Sequence, residues 1–312
     1  MPKKTAPPSG SPDSQARAVA EAVEHAWHRA HGHGRLEVPA SVVAGLALLG
    51  PPPEQRAAVA DHISALNVEE FAGFMRGQWA CFIGLRPDLA NPVWPLAEVW
   101  HGEHPITGPA LEAAPAVARA ALAAGQLHLT GGRHTRWEID LLGVLLTTMR
   151  GPTSASARGQ YYTPGHVAES MAALLLTGIK PGKTVYEPTV GTGGMLRAAA
   201  QVMRSRGIDP ASMVWAATDV DPLALACAAV NAALWELGNN VLLTVSDGLA
   251  EPAEQAIERA RAQRAETLGL ARRLHEYREV VTAFHGARRL LDELTATSSD
   301  DGAADDGEEA GE

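Results

Sequence analysis

Cysteine is nearly missing from this 312-residue chain: only Cys81 and Cys227 occur. A disulfide framework is thereby excluded, and a reducing compartment is the expected setting. Also missing is any apolar run approaching the roughly twenty residues that span a bilayer, and no signal peptide precedes the body. Membrane and export readings therefore fall away, and a cytoplasmic protein is expected. An excess of basic charge is lacking as well. The formal net charge is −10, but seven acidic residues stand between Asp300 and Glu312 with no Lys or Arg among them, leaving 26 basic against 29 acidic residues in the rest. A nearly neutral body does not advertise the basic patch of a tight nucleic-acid binder, so electrostatics neither supports nor excludes a DNA partner. His31 and His33 flank Gly32 with no Cys or carboxylate at ligand spacing, which reads as a solvated turn and not a metal site.

What is present is enough apolar residue, 46%, to bury a real core in one or two domains. Residues 1–14 are rich in Pro, Ser and Lys and are expected to be a disordered tail, as is the acidic stretch 297–312. Between them, 15–150 reads as a helical domain, with helices expected at Gln15 to Ala30, Ser41 to Leu49, Pro53 to Leu66, Val68 to Gly84, Pro109 to Ala124 and Arg136 to Met149. Asn91-Pro92-Val93-Trp94 reads as a turn. Trp94 and Trp100, near His101 and His104, read as partly buried helix anchors and not as a base-stacking surface. The stretch Gly151 to Gly159, with Pro152, Ser154 and Ser156, marks a boundary, after which 151–250 and 251–296 form two further segments.

The segment 151–250 carries the chemistry. Thr184 to Tyr186 is a short β-prone run ending in Glu187-Pro188, and Gly191, Gly193 and Gly194 follow before an alanine-rich helical stretch from Met195 to Arg204. Glycines in such a strand-loop-helix unit permit left-handed angles and close approach of backbone to ligand, while the helix start presents unpaired N–H groups. A second strand is expected over Met213 to Thr218, ending at Asp219, whose carboxylate can accept hydrogen bonds from two ribose hydroxyls. A third, Val241 to Val245, leads into Ser246-Asp247-Gly248. Three strand ends in succession place polar groups on one edge of a parallel sheet, where ligands of open α/β folds bind. The nicotinamide-cofactor pattern needs Gly or Ala where Leu196 stands, and no Gly-Lys-Ser/Thr follows the glycines as a phosphate loop requires.

Two boxes, Gly159-Gln160-Tyr161-Tyr162-Thr163-Pro164 and Tyr186-Glu187-Pro188-Thr189-Val190-Gly191-Thr192-Gly193-Gly194-Met195-Leu196, give the segment Gly159 to Asp247 a resemblance to a known family. It resembles the N6-adenine DNA methylases, in particular the modification subunits of type I restriction-modification systems. The resemblance implies a Rossmann-like S-adenosylmethionine-dependent methyltransferase domain, here a truncated parallel sheet preceded by a helical domain and followed by a long amphipathic helix. It implies S-adenosylmethionine as cofactor. Thr163 would then meet the methionine carboxylate, with Tyr161 and Tyr162 lining the pocket. Glu187, Pro188, Thr189, Gly191, Thr192, Gly193 and Gly194 would surround the methionine and ribose, Asp219 would hold the ribose hydroxyls, Val220 would pack on the adenine, and Asp247 would read its exocyclic amine. DNA, and a specificity or catalytic partner subunit, are the partners it implies.

The chain departs from the family pattern downstream. Family members place Asn-Pro-Pro-Tyr or Asn-Pro-Pro-Phe after a fourth strand, to accept the N6 protons of a flipped adenine and stack on its ring. No Asn-Pro-Pro or Asp-Pro-Pro occurs here, so the catalytic residues are left unassigned. Arg278 to His285 offers a faint fourth strand that retains only Phe284. Against it stands the recurrence of Ile257, Leu268, Ala271, Leu274, Tyr277, Val281, Phe284, Ala287, Leu291 and Leu294 mostly three or four apart, the pattern of one long amphipathic helix that Gly269 and Gly286 could bend. Such a helix would fold back on the sheet or pair two subunits into a homodimer. Two functions are therefore expected: an adenine-N6 DNA methyltransferase of a restriction-modification or related system, or an inactive cofactor-binding relative acting as a regulatory or structural subunit.

Overall fold

The computed structural model describes residues 10–157, 163 and 165–300, with the side chains of 152–157 and most of those beyond 279 outside that description. Helix α1 (Pro12–Ala30) begins inside the stretch expected to be disordered. The Ser11 hydroxyl accepts from the Ser14 N–H at 3.3 Å, and Pro12 occupies the first turn, where a missing N–H costs nothing. There follow α2 (Glu37–Ala47), α3 (Arg56–Ala65), α4 (Val68–Leu85), α5 (Ala90–His101), α6 (Gly108–Ala123), α7 (Gln126–Thr130), α8 (Arg133–Glu138) and α9 (Leu141–Ala157). Asn67 and Glu70 close a reciprocal capping box on α4.

Three expectations are corrected in this region. Asn91-Pro92-Val93-Trp94 is not a turn but the start of α5, because Pro92 falls in the first turn, whose N–H groups need no helical partner. Burial of Val93, Leu96, Ala97 and Trp100 holds the rest of that helix despite Pro95. The helix expected from Arg136 to Met149 is broken at Ile139, which is extended, and restarts with Asp140 accepting from the Gly143 N–H at 2.8 Å. At the expected boundary the chain stays helical to Ala157, with one kink where Gly151 takes φ 66°.

Helix α10 (Gly165–Leu175) leads into β1 (Thr184–Glu187), and α11 (Gly194–Ser205) carries the chain to β2 (Val214–Asp219). Helix α12 (Pro222–Leu234) connects to β3 (Val241–Val245), and α13 (Ala253–Asp300) follows. The strands are parallel in the order β1-β2-β3, with Glu187 level with Ala217 and Asp219 level with Val245. Helical crossovers between parallel strands cover the sheet faces. Val185, Trp215, Ala217 and Leu243 face the large core shared with the helices, while Tyr186, Val214, Ala216 and Leu242 pack with Ile257 and Ala260 of α13. Mostly helical, the fold thus holds one small parallel sheet.

The faint fourth strand is overturned: Arg278 to His285 lies within α13, and neither Gly269 nor Gly286 ends that helix. The chain forms two compact units, Met1–Ala265 and Glu266–Glu312, and the site described next lies within the first. No helix among the described residues is long and apolar enough to cross a membrane.

Candidate functional site

Parallel pairing brings the carboxyl ends of all three strands to one edge of the sheet. Glu187 closes β1, and its carboxylate accepts from both the N–H and the hydroxyl of Thr189 at 3.2 Å, folding the first turn of the glycine loop. Asp219 closes β2. One of its carboxylate oxygens accepts the Gly191 N–H at 2.7 Å and the other accepts the Asp221 N–H at 2.8 Å, so the acidic strand end and the glycine loop are in direct contact. Asp247 stands two residues past β3 and accepts from the Leu249 and Ala250 N–H groups, while Ser246 donates its N–H to the Asp219 carbonyl at 3.0 Å. Gly248 lies so close to the first loop that a Cβ there would sit 2.2 Å from the Pro188 carbonyl oxygen.

The loop itself depends on two glycines. Gly191 takes φ 54° and Gly193 φ 100°, the left-handed region that side chains disfavour. Gly193 is also crowded: a Cβ would meet the Trp235 ring at 2.9 Å. Gly194 has ordinary helical angles and open space, so the freedom expected of it is not used. Val220, beside Asp219, leaves its apolar side chain 66% exposed. Thr163 is exposed, and Tyr161 and Tyr162 lie outside the described residues. Glu187, Pro188, Thr189, Gly191, Thr192, Gly193, Gly194, Asp219, Val220 and Asp247 thus share one strand edge, whereas the first box cannot be placed against it.

Sequence reasoning missed the supports beneath this edge. Asp140 is half-buried below the loop, its carboxylate enclosed there and accepting from the Thr192 hydroxyl at 2.6 Å, the Asn231 amide at 2.8 Å and the Gly143 N–H. Burial pushes its carboxyl up from the ordinary value, and the three hydrogen bonds together with Arg197 only partly offset that. Asn231 also donates to the Thr192 carbonyl at 2.8 Å, so a residue of α12 and the residue that leads into α9 grip one loop residue. Asp221 caps α12 by accepting from Leu223 and Ala224 and is paired at 2.5 Å with the nearly buried Arg150. The signal for Asp140 is an acidic N-cap ahead of Leu141-Leu142-Gly143, obscured in the sequence by the helical pattern that runs on from Arg136 to Met149.

Chemically, the edge offers carboxylate acceptors beside a glycine loop. Glu187, Asp219 and Asp247 would repel a phosphate and attract a ligand carrying positive charge and hydroxyl donors. The residues present therefore fit a cationic nucleoside such as S-adenosylmethionine, with its ammonium, sulfonium and ribose hydroxyls.

Residues 142–266 match the family model described as N-6 DNA Methylase, in line with the resemblance carried by the two boxes. Among solved structures, it is similar to the type I restriction-modification system methyltransferase subunit from Streptococcus thermophilus, with a TM-score of 0.41 and 16% identity over 77% of this chain. The chain spans 60% of the length of that subunit. Curated protein sequences gave no match.

Proposed function

We propose that the chain is an S-adenosylmethionine-binding member of the DNA methyltransferase family, of the adenine-N6 type, serving a restriction-modification or related DNA-modification system. The observation that carries the reading is the bond from the Gly191 N–H to the Asp219 carboxylate, which sets an acidic strand end against a glycine loop at one sheet edge. In this reading the sheet is the first half of a Rossmann-like domain, preceded by a helical domain reaching to about residue 150 and followed by the α13 segment. Asp219 holds the ribose hydroxyls, Glu187 faces the ammonium, Val220 packs on the adenine, Asp247 reads its amine, and Thr163 meets the methionine carboxylate, with Tyr161 and Tyr162 lining the pocket. The cofactor carries the reactive methyl, so the task of the protein is alignment and exclusion of water.

A second reading has its own observation. No Asn-Pro-Pro segment exists in the sequence, and Arg278 to His285, the stretch at the corresponding place, is helical. Under this reading the chain binds cofactor without transferring methyl groups and serves as a regulatory or structural subunit, with DNA and a specificity or catalytic subunit as its partners in a cytoplasmic complex.

Calorimetric titration of the purified chain with S-adenosylmethionine tests the shared premise. Binding is expected, and Asp219→Ala should abolish it while leaving the circular dichroism spectrum intact; unchanged affinity would overturn the assignment of that carboxylate. Incubation with labelled cofactor and adenine-containing DNA separates the two readings, since transfer by the isolated chain removes the second and binding without transfer favours it.

A further inference from the structure

Strand β1 carries the glycine loop, yet among the described residues it is hydrogen-bonded on one side only, to β2. Ligand crevices of open parallel sheets form at the switch point, between strands on both sides of the loop-bearing strand, and among the described residues only one of those sides is filled. The Val214 N–H bonds the Lys183 carbonyl, which turns the N–H and C=O of Val185 toward β2 and those of Thr184 and Tyr186 toward the open edge. An open edge of this kind is a template for another strand.

Helix α10 shows the same lack of cover. Ala168, Ala172 and Leu176 are buried in the core next to α11, and Arg206 at the end of α11 donates to the Ala173 and Leu176 carbonyls. Its apolar arc continues past that contact to Val167, Met171, Leu174 and Leu175, of which Leu174 is 78% and Leu175 74% exposed. α12 packs against β2 and β3, while α10 packs on α11, the helix that follows β1.

We propose that the β1 edge and the exposed flank of α10 form one self-complementary surface on which a second copy of this chain docks, β1 against β1 in antiparallel pairing. The charges argue for a second copy. With Val185 on the two-fold axis, Thr184 and Tyr186 exchange their outward N–H and C=O groups across the interface. Lys183 then stands directly opposite Glu187 of the other copy, on the same face as Val185. A two-fold axis perpendicular to the sheet also brings the two α10 flanks together on that face, so each apolar stripe covers the other. The pairing places Lys183 of the second copy beside the glycine loop, at the margin of the crevice.

Sedimentation equilibrium of the full chain tests this. Wild type is expected to have twice the 32.8 kDa chain mass. Leu174→Glu should give a monomer with unchanged circular dichroism, whereas Leu274→Glu, on the exposed face of α13, should leave the dimer intact. Lys183→Glu and Glu187→Lys should each raise the dissociation constant roughly tenfold, since two symmetry-related pairs are lost at once. The double charge swap should restore the dimer. A monomeric wild type, a dimer indifferent to Leu174→Glu and to both single swaps, a dimer dissolved by Leu274→Glu, or a double swap no better than the singles would each overturn the proposal.

Discussion

The Thr192 hydroxyl donates a 2.6 Å hydrogen bond to the Asp140 carboxylate, tying the glycine loop to the residue that starts α9, 52 positions earlier in the chain. Asn231 of α12 donates to the same carboxylate. Removing the acceptor strands buried donors from three segments. Asp140→Ala is therefore expected to cost roughly 2–4 kcal/mol, and Asp140→Asn, which keeps one acceptor oxygen, about 1 kcal/mol. Urea denaturation of the two variants measures the difference, and equal costs would show that the hydrogen bonds are not what this carboxylate supplies.

The same group gives stability a pH dependence. Burial raises the Asp140 carboxyl above its ordinary 3.8, so between that value and the raised one the folded protein holds a proton that the unfolded chain has released. Stability contributed by this group is full below about 3.8 and is lost as pH rises through the raised value. Denaturation midpoints taken across mildly acidic pH should fall with rising pH in wild type, and the decline should be smaller in Asp140→Asn.

Gly193 and Gly194 are neighbours with opposite tolerance. Gly193→Ala meets both a left-handed backbone and the Trp235 ring, and should cost roughly 1–3 kcal/mol. Gly194→Ala enters open space at the first turn of α11 and should be neutral or stabilising by some tenths of a kcal/mol. Thermal melts of the two single variants compare them directly.

Glu236 holds Arg133 and Arg136 of α8 at the end of α12. Burial alone would raise its carboxyl, but the hydrogen bonds and charges of the two arginines outweigh that and set it below the ordinary 4.5. Its contribution is present above 4.5 and lost as pH falls through the lowered value. Glu236→Gln should lower stability by about 1 kcal/mol near neutrality, discounted for its partial exposure, with the gap to wild type closing toward acid pH.

Local rules sufficed for the strand ends beside the glycine loop because their signals are local. A β-prone triplet ending in Glu187, the glycines after it, and Asp219 and Asp247 at the ends of the next two apolar runs each declare a strand end within a few residues of sequence. The Val241 to Val245 strand was legible to the residue. Short, continuously apolar runs separated by alanine-rich helices leave little choice but a parallel sheet.

Burial across distance decided the rest. Asn91-Pro92 carries a turn signature, and only the packing of Val93, Leu96 and Trp100 holds it in a helix. Asp140 looks like a surface acid until α12 and the loop close over it, since partners 52 and 91 positions away have no trace in the local pattern. That β1 pairs on one side only among the described residues is likewise a property of three strands assembled together: one strand read alone announces that it will pair, but not on how many sides.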